Sequence, residues 1–85
     1  VVECVPSALG KQLSDALTVP VIGIGAGPDT DAQVLVLHDM LGISQRLPRF
    51  SKNFLEDEAS IQEAITAYGN AVRTGTFPAS EHCFK

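Results

Sequence analysis

Glu3 is the residue of this 85-residue chain whose surroundings most favour chemistry. It sits in Val2-Glu3-Cys4-Val5, an apolar run that stops at Pro6. The C-terminal end of a strand is where α/β barrels and doubly wound sheets place their reacting groups. Apolar neighbours disfavour the charged form of a carboxylate, raise its pKa and suit it to general-base work. The plainer alternative is a glutamate at a strand edge, facing solvent or paired with a base.

Other clusters offer less. Gly23-Ile24-Gly25-Ala26-Gly27 could bring a phosphate or other ligand against the main chain. Its spacing, followed by Pro28, is not the dinucleotide fingerprint, and it serves equally as a tight loop that makes room for neighbours. His38-Asp39 could orient a base or bind metal, but adjacent residues on a strand point to opposite faces, which favours a structural hydrogen bond. Cys4, Cys83 and His82 lack metal-ligand spacing, so zinc is not expected and the cysteines read as reduced thiols. Arg46, Arg49 and Lys52 recur at helical spacing and could touch an anionic substrate tail. A solvated face answered by Glu56-Asp57-Glu58 accounts for them better. No G-x-S-x-G, P-loop or Cys/His nucleophile arrangement is present.

The elements that must hold these residues follow from pattern. Val1 to Val5 reads as a strand. Pro6 and Ser7 open a helix through Leu17, with Leu9, Leu13, Ala16 and Leu17 on one face. Gly10 weakens that helix by up to ~1 kcal/mol relative to alanine, so packing must hold it. Val19-Pro20 ends it. Val21-Ile22-Gly23-Ile24 and Val34-Leu35-Val36-Leu37 are continuous apolar runs, the habit of parallel strands buried on both faces. A loop containing Pro48 precedes a short helix over residues 49–55. Ser60-Ile61-Gln62-Glu63 has capping-box spacing and opens a helix with an Ile61, Ala64, Ile65, Tyr68, Val72 stripe that stops at Gly75. Residues 79–85 are expected to be irregular. Residues 1–42 thus form a βαβ core and 43–85 the C-terminal helices and tail of a single partial domain.

Composition bounds the partners. The mean hydropathy is +0.15, 45% of residues are hydrophobic and the formal net charge is −4. A folded core is expected, and general nucleic-acid or anionic-membrane binding is not, since both need a basic face. Residues 1–42 set Lys11 alone against Glu3, Asp15, Asp29, Asp31 and Asp39, while 43–85 balance. No apolar run reaches the ~20 residues of a membrane span, no signal peptide is visible, and a cytoplasmic location is expected. Three buried parallel strands would leave open edges and apolar surface, so partner strands are expected, most economically in a closed (β/α) barrel. A start inside an apolar strand also suggests a piece of something larger.

Taken in order, Glu3-Cys4-Val5-Pro6, Pro20-Val21-Ile22-Gly23-Ile24-Gly25-Ala26-Gly27, Val36-Leu37-His38-Asp39, Phe50-Ser51-Lys52-Asn53-Phe54, Phe77-Pro78 and Glu81-His82 closely resemble the C-terminal part of the ketopantoate hydroxymethyltransferases. The resemblance runs across essentially the whole chain and implies an α/β fold, the C-terminal portion of a (β/α)8 TIM barrel containing about strands six to eight. It implies hydroxymethyl transfer from methylenetetrahydrofolate to 3-methyl-2-oxobutanoate, giving ketopantoate in pantothenate and coenzyme A biosynthesis. A magnesium ion would chelate the keto acid, its ligands lying in earlier strands, and Glu3 matches the glutamate that removes the proton. Like subunits in a homo-oligomer, or the rest of the barrel, are the implied partners. Asp29, Asp31 and Asp39 do not match the family's metal ligands. Pro28, Ala32, Gly10 and Gly69 depart from its usual residues. Two other readings stand beside this one: a non-catalytic assembly piece, and an unrelated barrel that binds phosphate on the Gly23 to Gly27 loop.

Overall fold

Parallel pairing of three very short strands organises the N-terminal half of the computed structural model, which describes residues 1–85. The elements are β1 (Val2–Glu3), α1 (Ser7–Ala16), β2 (Ile22–Ile24), β3 (Ala32–Gln33), α2 (Leu37–Met40) and α3 (Ile61–Thr74), followed by a 3₁₀ turn at Ser80–His82. The sheet order is β1-β2-β3, with Val2 opposite Gly23, Glu3 opposite Ile24, and Gly23 opposite Gln33. The three strand ends therefore lie on one side, as a βαβ connection requires.

The expected third strand is displaced. Pairing to β2 falls on Ala32–Gln33 and ends with the Val34 N–H on the Gly23 carbonyl, 3.0 Å, while Leu37–Met40 turns into a helix. Asp31 accounts for the shift: its carboxylate accepts the Val21 N–H at 2.7 Å and ties the start of β3 beside β2. Nor are the strands covered on both faces, since Glu3 of β1 and Ala32 of β3 are exposed.

Helix α1 also packs differently from its leucine pattern. Leu9 and Leu17 are exposed, and the buried member of the helix is Gly10, which lies against the Ala26 carbonyl. Ser14, one turn on, has its hydroxyl buried without a partner. Gly10 is thus the contact through which helix and loop approach, not a defect in the helix.

The C-terminal half gathers on α3. Ser60 Oγ accepts the Glu63 N–H at 3.1 Å, Glu63 Oε2 accepts the Ala59 N–H at 3.1 Å, and Gly75 (φ 80°) closes the helix. The Ser60 cap and the Gly75 stop behave as the pattern predicts. The Glu63 carboxylate, however, reaches past the N-cap to Ala59, so the reciprocal half of the capping box is not made. Leu35, Met40, Leu41, Phe54, Ala64 and Phe77 form the core beneath it. Phe54 meets Tyr68 and Phe77 edge-on at 5.4 and 5.3 Å, an arrangement that aligns ring edges with ring faces. Burial raises the Tyr68 phenol above its ordinary pKa, and its hydroxyl has no partner. The expected helix over 49–55 does not form: these residues make turns, with Asn53 Oδ1 accepting the Leu55 N–H and the Phe54 N–H reaching the Met40 carbonyl. Phe54 is drawn into the aromatic core by that local bonding.

The tail is ordered rather than irregular. After the 3₁₀ turn, Phe84 pairs with Pro6 as a parallel bridge, joining the last residues to the first helix. Within it the Ala79 N–H donates to His82 Nδ1 at 3.0 Å, and the imidazole packs on Phe77 at 4.8 Å. Burial holds the His82 pKa below its ordinary 6.5, with Lys52 adding to the effect and Glu81 opposing it. A lowered folded pKa means that protonation favours the unfolded chain. The His82 contribution is therefore full above the ordinary value and is lost as pH falls below it. The urea midpoint is expected to drop as pH falls below about 6.5. In His82→Phe, which keeps the ring packing, that step should vanish; an unchanged profile would assign it to other groups.

Candidate active site

Glu3 closes β1, and the next residue, Cys4, has the least ordinary backbone in the chain. Its φ of 54° is a left-handed conformation that costs a non-glycine residue of order 1 kcal/mol. Two main-chain bonds hold it: Cys4 N–H to the Ile24 carbonyl at 2.9 Å, and Val5 N–H to the Gly25 carbonyl at 3.1 Å. The turn lets the chain leave the strand after Glu3 and enter α1 at Pro6, whose fixed φ of −55° suits a helix start.

The glutamate stands at the strand ends, beside the Gly25 loop. Its side chain is exposed, so the apolar shelter expected from its sequence neighbours is absent within these residues. The physical reason is the shortness of β1: two residues pair, and the chain then turns away before an apolar wall can form. The surface clefts, about 330, 240 and 400 Å³, lie along α3, beside His82 and at the Pro6–Phe84 junction, and none includes Glu3.

The glycine-rich segment works as packing. Gly25 (φ 65°) lies against the Phe50 ring, and a Cβ on Gly27 (φ 82°) would come within 2.7 Å of the Ser7 Cβ. Both glycines let the loop lie flat between α1 and Phe50. His38 is exposed on α2, while Asp39 is buried and accepts the Ser44 hydroxyl at 2.6 Å. The pair thus does part company, across a helical turn rather than a strand, and Asp39 takes the structural role.

The basic cluster is not a helical face answered by acids. Arg49 donates to the Cys83 carbonyl at 3.0 Å and stacks 4.4 Å from the Phe84 ring centroid, while Lys52 lies 5.1 Å from that of Phe54. The ion pair present is Lys11–Asp15 at 2.8 Å on α1, which raises the Lys11 pKa through the hydrogen bond and charge of Asp15. Cys4 and Cys83 are free thiols. No three His, Cys, Asp or Glu side chains converge as a metal site, since Asp31 and Asp39 are committed to local hydrogen bonds. Ser51, 4% exposed with an unpartnered hydroxyl, and the Arg49–Phe84 contact escaped sequence reasoning. Only their place in Phe50-Ser51-Lys52-Asn53-Phe54 and beside it marked them.

Comparison with known proteins bears on this arrangement. The family model for ketopantoate hydroxymethyltransferase matches residues 1–80. A 3-methyl-2-oxobutanoate hydroxymethyltransferase of Chromohalobacter salexigens is 60% identical over 83 residues, covering 96% of this chain and 32% of its own length. Its counterpart in Shewanella loihica is 60% identical over 85 residues, with 99% and 32% covered. That of Marinobacter nauticus is 62% identical over 84 residues, with 98% and 32% covered. The chain spans about a third of the length of these curated relatives.

Proposed function

We propose a role for the chain from one premise: it belongs to the ketopantoate hydroxymethyltransferase family. In that role residues 1–85 are one partial domain, strands six to eight of a (β/α)8 barrel, and supply the base and one wall of its active site. Parallel β1, β2 and β3 with their ends aligned suit that place. So do the exposed Val34, Val36, Leu9 and Leu17, which further strands and helices would cover. A cytoplasmic homo-oligomer is the setting this reading carries.

The observation that bears most on the chemistry is Glu3 at the C-terminal end of β1, exposed and unburdened, on a turn held by its neighbours. Its carboxylate takes the proton from carbon 3 of 3-methyl-2-oxobutanoate. The C–H electron pair moves into the bond between carbons 2 and 3 and the carbonyl π pair moves onto its oxygen, giving an enolate. Water releases the one-carbon unit of methylenetetrahydrofolate at the formaldehyde level, both carbon–nitrogen bonds breaking to leave tetrahydrofolate. Carbon 3 of the enolate bonds to that carbon as its C=O pair moves to oxygen and is protonated to the new hydroxyl. The magnesium ion that the family implies does not fit these residues by themselves, because no donor set converges. Its ligands are expected in the preceding strands.

The test is reconstitution. These 85 residues replace the matching segment of the Shewanella loihica relative, and exchange of the carbon 3 proton is followed with the keto acid present. Retained exchange supports the reading. A folded chimera without exchange sinks it and favours an assembly role, for which the exposed Ile61 and Ile65 on α3 are the supporting observation.

A further inference from the structure

We propose that the C-terminal segment positions the proposed base, with Arg49 and Phe84 as positioning residues for Glu3; this rests on the role of Glu3 as the group that takes the proton. The turn from Glu3 to Ser7 is gripped on two sides. On one side the Gly25 loop accepts the Val5 N–H at 3.1 Å, next to the Cys4–Ile24 bond. On the other, the Phe84 carbonyl accepts the Ser7 N–H at 3.1 Å and the Ser7 hydroxyl at 3.4 Å.

The second grip substitutes for a missing cap. The first N–H groups of a helix have no intrahelical acceptor, and a side chain of the N-cap residue ordinarily supplies one. Here the N-cap is Pro6, which has no acceptor side chain, and the Phe84 carbonyl arrives from 77 residues away to take that place.

Arg49 and Phe50 hold both grips together. Arg49 donates to the Cys83 carbonyl and lies 4.4 Å over the Phe84 ring, so one planar guanidinium fixes both the main chain and the side chain of the tail. Phe50 lies 6.4 Å from the Phe84 ring and also covers Gly25. Tail, loop and turn thus meet at one place, directly after Glu3. Cys4 in its strained conformation is the element that would relax if the grip opened, and its relaxation would swing the glutamate.

The experiment uses the Shewanella loihica chimera with Arg49→Ala, Arg49→Lys, Phe84→Ala and Phe84→Tyr, each alone and with Glu3→Gln. Loosening is expected to lower kcat by about 10-fold to 100-fold, the scale of a small misplacement of a reacting group, with KM within about twofold. Phe84→Tyr keeps the ring and should restore the rate, whereas Arg49→Lys loses the planar contact and should not. In the Glu3→Gln background Arg49→Ala should have no further effect, because it acts through Glu3. Amide exchange at Ser7, read in the same chimera, should quicken by roughly 10-fold in Arg49→Ala and Phe84→Ala. Unchanged Ser7 exchange, or a kcat loss that adds fully to that of Glu3→Gln, overturns the proposal. Full turnover in Glu3→Gln alone instead overturns the role of Glu3 as base, and the positioning role with it.

Discussion

Glu3→Gln is expected to slow proton exchange at carbon 3 of the keto acid by about 10²- to 10⁴-fold in the reconstituted enzyme, the usual contribution of a general base. Glutamine keeps the volume and the hydrogen-bonding shape of the side chain but cannot take up the proton. The loss should fall on kcat and leave KM nearly as it was, since the interaction removed belongs to the transition state. Folding should be untouched. Glu3 is exposed, and its neighbourhood is bound to the sheet by main chain: Cys4 to Ile24 and Val5 to Gly25. Circular dichroism and the urea midpoint of the variant check that point alongside the exchange measurement. A folded variant that exchanges at the original rate would leave the assembly role as the better account of this chain.

Where a single local signal decides an element, it could be read from the sequence. Ser60 and Gly75 bound α3, and Pro6 opens α1, because caps and proline act within a few residues. The first two strands of the parallel sheet were legible from continuous apolar runs, and so was the place of Glu3 at the end of one of them. The features that were not legible depend on partners far along the chain. Val34-Leu35-Val36-Leu37 carries a better strand pattern than Ala32–Gln33, yet Asp31 bonding to Val21 starts the pairing earlier, and Leu35 is drawn into the core under α3 instead. Residues 49–55 have helical charge spacing, but Arg49 is committed to Cys83 and Phe84 while Phe54 is committed to Tyr68 and Phe77. The tail owes its order to Pro6 and Ser7, at the opposite end of the sequence. The shelter of Glu3 is of the same kind: an apolar wall around it would have to be built from other segments.

Gly10 and Gly69 bring these two levels into direct competition, and alanine at each should act in opposite directions. Helix propensity alone predicts a gain of about 0.5–1 kcal/mol at both, because glycine is the poorer helix former. At Gly69 nothing opposes it: the nearest atom to an added Cβ is Nη1 of Arg73 at 3.3 Å, the far end of a flexible side chain. Gly69→Ala should therefore raise the urea midpoint. At Gly10 the added Cβ overlaps the Ala26 carbonyl oxygen, which is main chain and cannot swing aside. The loop cannot retreat easily either, since Gly25 and Gly27 sit at φ 65° and 82°, packed on Phe50 and Ser7. Overpacking of this sort costs about 1–3 kcal/mol, which exceeds the propensity gain over most of that range, so Gly10→Ala should lower the midpoint. Paired urea titrations followed by circular dichroism decide it, and a rise in both variants would show that α1 is not pinned to the loop. Because α1 begins at the turn after Glu3, a helix pushed off Ala26 also displaces the proposed base. Gly10→Ala should then reduce exchange in the reconstituted enzyme, whereas Gly69→Ala, remote on α3, should leave it alone.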